Sequence, residues 1–290
     1  MVRRLFQIAT LTLLFAAPAR AEILFEGYSK ITSGGVHVGY TVTRYEFDPK
    51  KKQFKGTYFL KTGSLGSDIT ESVKSVADES LNPISYEYTG LVGKKTKTID
   101  AKFSKGKMNA SVTEDGKTKT IRKDLPKGTF LSNFLIYLML KSKSGLQTDA
   151  RYEYNAIAEE DAEIHKGDAL VEKQETHMGQ LAYKVLNRFK DVKFISYVSD
   201  RGEVLSTSSP ANGIGTELVA KPSDAVGSFG VSAAILKSLF GEVPLGTHNA
   251  LSQNAKKEAF GESEPATKQR GVPGGKGIQI KPTPEKGPSK

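Results

Sequence analysis

Between Glu22 and Ser209, short runs of β-branched and aromatic residues alternate with glycine turns, a layout that few folds accommodate. Val36, Val38, Tyr40 and Val42 interleave with His37, Gly39, Thr41 and Thr43, a period of two with one apolar face. The apolar parity then moves to Tyr45 and Phe47, which suggests a bulge near Thr43-Arg44. Further runs follow at Phe54, Tyr58 and Leu60, at Ile84, Tyr86 and Tyr88, at Ile99, Ala101 and Phe103, and at Met108, Ala110 and Val112. Ser33-Gly34-Gly35, Lys105-Gly106, Asp115-Gly116, Met178-Gly179 and Asp200-Arg201-Gly202 sit between such runs, where glycine takes positive φ without strain. Connections this short join antiparallel neighbours. About a dozen strands result, ending with Arg151 to Ala158, Ala169 to Glu175, Leu181 to Leu186, Val192 to Val198 and Glu203 to Thr207.

Two segments read as helices. Phe130 to Lys141 is apolar almost all round, so a helix here must be covered on nearly every side. Ser223 to Phe240 carries Val226, Phe229, Ala233, Leu236 and Phe240 on one stripe, with Ser223 placed to cap its first turn. A helix without a polar face needs a sheet wrapped round it. The expected fold is therefore mainly β: a large curved antiparallel sheet or half-open barrel, with a central apolar helix and a second, amphipathic one.

The ends of the chain differ from this body. Arg3 and Arg4, the apolar run Leu5 to Ala17 and Ala19-Arg20-Ala21 have the layout of a secretory signal peptide cut after Ala21. The run is too short to span a bilayer, and no later stretch is long enough, so no integral membrane span is expected from Glu22 onward. Export follows, to the periplasm in the first instance, with secretion or peripheral outer-membrane association as alternatives. The general and twin-arginine routes both stay open. From 253 to 290 the chain holds five of its twelve prolines and six glycines, with almost no large apolar residues. That composition predicts a disordered tail after a single domain, 22–252. Its eight Lys/Arg against four Asp/Glu fit a spacer better than a polyanion-binding arm.

Charge and chemistry exclude more than they assign. The net charge of +10 divides into +3 in residues 1–21, +4 in 253–290 and only +3 in the body, which argues against nucleic acid. With no cysteine there are no disulfides, thiol nucleophiles, thiolate metal sites or acylated cysteine anchor. His37, His165, His177 and His248 show no metal-ligand spacing, and no nucleotide or cofactor fingerprint appears. Glu159, Glu160, Asp161 and Glu163 form the densest acidic run but lack a calcium-loop pattern, and read as a solvated loop. Gly63-Ser64-Leu65-Gly66-Ser67 and Ser104-Lys105-Gly106-Lys107 read as strand-to-strand connections rather than serine sites. No catalytic residue, metal or cofactor is assigned.

What remains is aromatic abundance. Tyr28, Tyr40, Tyr58, Tyr86, Tyr88, Tyr152, Tyr154 and Tyr183 all fall on expected strands, where they either fill a solid core or line a concave apolar pocket. The candidate lining is Val38, Tyr40, Tyr58, Tyr86, Tyr88, Phe130, Phe134 and Leu138. Gly35-Val-His-Val-Gly-Tyr40, Leu81-Asn-Pro-Ile-Ser85, Leu125-Pro-Lys-Gly128, Gly179-Gln-Leu-Ala-Tyr-Lys-Val185 and Asp200-Arg-Gly-Glu-Val-Leu205 resemble, in that order, phrases of uncharacterised exported bacterial β-proteins. The architecture resembles the LolA/LolB type of periplasmic lipoprotein carrier, a half-open barrel with helices in its mouth. That resemblance implies a non-catalytic carrier of a lipid, acyl chain or lipoprotein, and transfers no individual residue. The alternative is a structural module with a solid core that binds an envelope protein partner.

Overall fold

The computed structural model describes residues 21–259. The segment read as a signal peptide, but for Ala21, and most of the expected disordered tail lie outside the described residues. Fifteen strands form one sheet, in the order β8-β7-β6-β5-β4-β3-β2-β1-β15-β14-β13-β12-β11-β10-β9. Neighbours in the sheet are neighbours in sequence everywhere except where β1 (Glu22–Ser33) pairs with β15 (Ile214–Val219). Every pairing is antiparallel except the short β9 (Phe130–Leu131), which runs parallel to β10 (Arg151–Ala158). The chain meanders outward through β2 (Val36–Asp48), β3 (Gln53–Thr62), β4 (Ile69–Asp78), β5 (Pro83–Val92), β6 (Lys95–Ser104) and β7 (Lys107–Glu114) to β8 (Lys117–Asp124). After β9 and β10 it returns by β11 (Glu163–His177), β12 (Gln180–Phe189), β13 (Val192–Ser199) and β14 (Val204–Ser209).

This connectivity forces curvature. β8 and β9 are the two free edges, yet Asp124 and Phe130 are only six residue steps apart. Six steps span at most about 20 Å, whereas fifteen strands laid flat would spread over about 65 Å. The sheet therefore rolls until its edges approach, without hydrogen-bonding to each other. Lys123 of β8 forms an ion pair with Glu163 of β11 across the gap. One apolar core joins side chains from both arms, including Phe54, Ile99, Met108, Val171 and Val185, around the segment 130–139.

That segment is covered on its sides as its composition demands, but it is not one helix. Phe130 and Leu131 extend as β9, Ser132–Phe134 form a 3-10 turn, and α1 covers only Leu135–Lys141. Pairing with β10 satisfies the first backbone groups better than a helical turn would, because β10 otherwise ends the sheet. The second expected helix also divides, into α2 (Pro222–Val226) and α3 (Ala233–Phe240), with Gly227 at φ +50° between them. Pro222 occupies the first turn of α2, and Ser223 Oγ donates to Asp224 instead of capping the helix. Ser232 caps α3, accepting from Ala234 N at 3.2 Å. A further helix, α4 (Ala250–Ala259), runs past the boundary that composition places at 252.

β2 explains the parity change. Tyr40, Val42 and Arg44 face outward, where Tyr40 and Val42 pack under α2 and α3 with Phe59, Leu236 and Phe240. Tyr45 and Phe47 face the interior core. Register with β3 is unbroken from Gly39 to Asp48, so the strand buries opposite faces at its two ends without the bulge expected at Thr43-Arg44. The irregularities are in the pairing with β1, one between Ile23 and Phe25 and one between Ile31 and Thr32, where β2 skips Val38.

Candidate functional site

The interior is not filled throughout. A hollow of about 590 Å³ opens between the inner face of the sheet and the segment 132–137. Its cause is side-chain size. The inward positions of β1, β2, β14 and β15 hold Ser29, Thr41, Thr43, Thr207 and Thr216, small hydroxyl side chains that cannot reach α1. On the next strands the register lines up Thr43 with Tyr58, Tyr58 with Val73, and Val73 with Tyr88. Tyr58, Val73 and Tyr88 therefore form one inward row and make the aromatic wall. Ile136 and Tyr137 of α1 form the roof, with Tyr137 edge-on to Tyr45 at 5.0 Å between ring centroids.

Three carboxylates stand in this wall: Glu71, Glu159 and Glu160. Among the described residues no lysine, arginine or histidine lines the hollow. Tyr88 donates its hydroxyl to Glu71 Oε1 at 3.0 Å. The phenol reaches that far because it lies over Gly90, the residue paired with Glu71, where an added Cβ would fall 2.4 Å from Tyr88 Oη. Burial raises the Glu71 carboxyl above its ordinary value, and the Tyr88 hydrogen bond partly offsets this. Glu159, only 4% exposed, is pushed up to about 7 by burial, against hydrogen bonds that favour its charged form. Ser132 Oγ donates to Glu159 Oε2 at 2.5 Å, and Asn133 N donates to Oε1 at 3.4 Å. Glu160 and Asp161 share Lys190 Nζ, at 2.6 Å each. Burial also raises the Tyr45, Tyr58, Tyr88 and Tyr137 hydroxyls, which stay protonated as donors at neutral pH.

Of the residues expected to line a pocket, Tyr58 and Tyr88 do so. Phe130 and Phe134 are fully buried in solid core with Tyr86, whose hydroxyl has no partner, and Leu138 packs against the same core. Tyr40 requires correction: it faces outward, away from the hollow, where the C-terminal helices cover it, and Val38, though buried, is not among the residues that line the hollow. Glu159 is a second correction, since the acidic run is not simply solvated. The β10–β11 turn tucks this one member beneath the 3-10 turn while Glu160 and Asp161 bind Lys190. Glu71, Thr43 and Tyr137 left no mark in the sequence beyond strand or helix parity, and only the cross-strand register brings them together.

Among the described residues no three potential metal ligands stand together, and no helix is long and apolar enough to cross a membrane. No family model and no curated protein matches the chain. A solved structure similar to it is that of a β-barrel-like protein of a domain of unknown function, DUF1849, from Brucella abortus, at 14% identity and a TM-score of 0.49. The match covers 67% of this chain and 94% of that one.

Proposed function

We propose that this protein is a non-catalytic carrier that holds one small amphiphile, such as a lipid or an acyl chain, in its hollow. The observation that carries the proposal is the hollow itself, about 590 Å³ with an aromatic wall, a row of hydroxyls and no basic group. Its volume is in the range of ligand pockets. Apolar burial against Tyr58, Val73 and Tyr137 supplies the driving force, at about 25 cal/mol per Å². The hydroxyls and carboxylates orient a polar head that donates hydrogen bonds. A helix set inside a curved sheet also supports the resemblance to LolA/LolB carriers, and export to the periplasm belongs to the same reading.

Acid–base catalysis is the second reading, favoured by the Glu159 carboxyl at about 7. Against it, Glu159 and Glu71 already accept hydrogen bonds from their own wall, at Ser132, Asn133 and Tyr88. Native mass spectrometry after gentle purification is the test, paired with an apolar fluorescent probe. The carrier reading expects an unmodified co-purifying amphiphile and probe binding that Val73→Trp abolishes by filling the hollow. A ligand-free protein that ignores the probe, or one that turns the ligand over, would overturn it.

A further inference from the structure

Among the described residues nine large apolar side chains stay exposed; one is Leu181, three (Ile235, Val243 and Leu245) belong to the C-terminal segment, and the other five gather in one place. Val36, Leu65, Leu91, Val92 and Ile214 are 53%, 78%, 37%, 48% and 46% exposed, and all five lie at one edge of the sheet. In an antiparallel meander alternate connections fall on the same edge. Here these are, in sheet order, the β10–β11, β12–β13, β14–β15, β1–β2, β3–β4, β5–β6 and β7–β8 connections, and the five apolar side chains fall at four of them, β14–β15, β1–β2, β3–β4 and β5–β6. Backbone hydrogen bonds run along most of this edge. Gly34 N donates to Gly213 O at 2.8 Å, Gly63 N to Val38 O at 2.9 Å, Gly93 N to Asp68 O at 3.3 Å, and Asp115 N to Thr96 O at 3.0 Å. The stretch of this edge from β14–β15 to β7–β8 thus forms one rim. The opposite edge is built differently: its turns at 49–52, 79–80, 105–106 and 200–201 are Pro-Lys-Lys-Lys, Glu-Ser, Lys-Gly and Asp-Arg, and Leu181 is the exposed large apolar side chain near that edge.

Charge accompanies the rim. Residues 94–127 carry eleven Lys/Arg against four Asp/Glu, so the near-neutral balance of the whole body hides a strongly basic arm. Lys94, Lys95, Lys117 and Lys119 are exposed beside the rim turns, with Lys97 partly so. None of these five belongs to an ion pair among the described residues, whereas Lys61 is held by Asp68, Lys107 by Asp124 and Lys123 by Glu163. The acids at the basic arm's own turns and the β3–β4 turn are Glu114, Asp115 and Asp68, and Asp115 Oδ1 accepts from Thr96 N. Farther along the same edge the β10–β11 turn carries Glu159, Glu160, Asp161 and Glu163, of which Glu160 and Asp161 are paired with Lys190 and Glu163 with Lys123.

We propose that this rim docks the protein on the surface of an anionic phospholipid bilayer. Apolar side chains on separate turns, with free lysines among them, do not make the continuous patch that a packed protein interface buries. They suit a soft interface, where each tip enters the headgroup layer and the cations meet lipid phosphates. The β10–β11 turn, which bears Glu159 and Glu160, falls on this same edge, so docking brings that side of the hollow to the lipid. The docking inference stands on the rim alone, independently of any ligand in the hollow.

Vesicle flotation tests it, with phosphatidylcholine vesicles and with the same vesicles containing phosphatidylglycerol. The wild-type protein is expected to float with the anionic vesicles, and Leu65→Glu combined with Val92→Glu to lower its partition by about tenfold or more. Lys94→Glu with Lys95→Glu is expected to remove the preference for anionic over neutral vesicles, and Leu181→Glu to behave as wild type. The chain contains no tryptophan, so Leu65→Trp gives a clean second signal: a blue shift on adding vesicles, absent for Leu181→Trp. A wild-type protein that stays out of the anionic vesicles, a Leu65→Trp emission that does not move, or a Leu181→Glu loss equal to that of the rim variant would each overturn the proposal. Because ligand retention in the hollow is read without vesicles, failure of docking and failure of the carrier reading are separate results.

Discussion

The two faces of β2 are built to opposite ends. On its outer face Arg44 donates Nε to Glu26 Oε2 at 2.7 Å and NH1 to Phe240 O at 3.0 Å, and Gly246 N donates to Glu26 Oε1 at 2.6 Å. Asn249 Nδ2 donates to Glu26 O at 2.9 Å, and Tyr28 donates to Pro244 O at 3.0 Å. This network fastens the C-terminal segment over Tyr40, Val42 and Phe59, and leaves no polar group of the ion pair without a partner. On the inner face, Thr41 and Thr43 give onto a space their neighbours do not fill. A single strand can thus seal one side with a buried ion pair and keep a hollow on the other, because successive side chains point to opposite faces.

Breaking the outer face should cost most. Arg44→Ala leaves the Glu26 carboxyl 2% exposed and without its counter-ion. A loss of about 3–5 kcal/mol is expected in urea unfolding. An Arg44→Ala protein as stable as wild type would mean the outer network only decorates the fold.

The inner face should answer to pH instead. The Glu159 carboxyl at about 7 lies above its ordinary 4.5, so the folded chain keeps a proton that the unfolded chain releases. Stability therefore falls as pH rises from about 4.5 to about 7, and is level above that for this group. Glu159→Gln should flatten the profile across that window and exceed wild type at pH 8 by about 1–3 kcal/mol. Unfolding curves at stepped pH check both halves of the expectation, and an unchanged slope in the variant would remove Glu159 as the cause.

The smallest effect sharpens the contrast. Tyr58→Phe takes one hydroxyl from the wall of the hollow and should change stability by less than about 1 kcal/mol, since that hydroxyl makes no hydrogen bond among the described residues. Binding of a head group that hydrogen-bonds to this wall should still weaken measurably. Equal probe affinity for both proteins, measured by titration, would place the polar head elsewhere.

Strand identity, hairpin turns and the need to enclose 130–141 were legible because each depends on local pattern: parity, glycine at positive φ, and an apolar run too long to expose. The break at Gly227 was hidden, because Val226, Phe229, Ala233, Leu236 and Phe240 keep a helical stripe whether or not the backbone is continuous. β4 and β15, with weaker alternation, became strands through the ladders on either side of them. Glu159 was misread for a similar reason. An acidic run looks the same in sequence whether its turn faces water or tucks beneath another.

By itself the sequence determined that this chain makes a long antiparallel meander which must close over a greasy segment, since those demands act between residues a few positions apart. Only the tertiary structure decided which face of each strand is covered, that Thr43, Tyr58, Val73 and Tyr88 share a row, and that five exposed apolar side chains fall on four turns of one edge. The physical reason is that register and curvature arise between strands distant in sequence. The interactions that set them reward the whole rolled sheet, not any run of neighbouring residues.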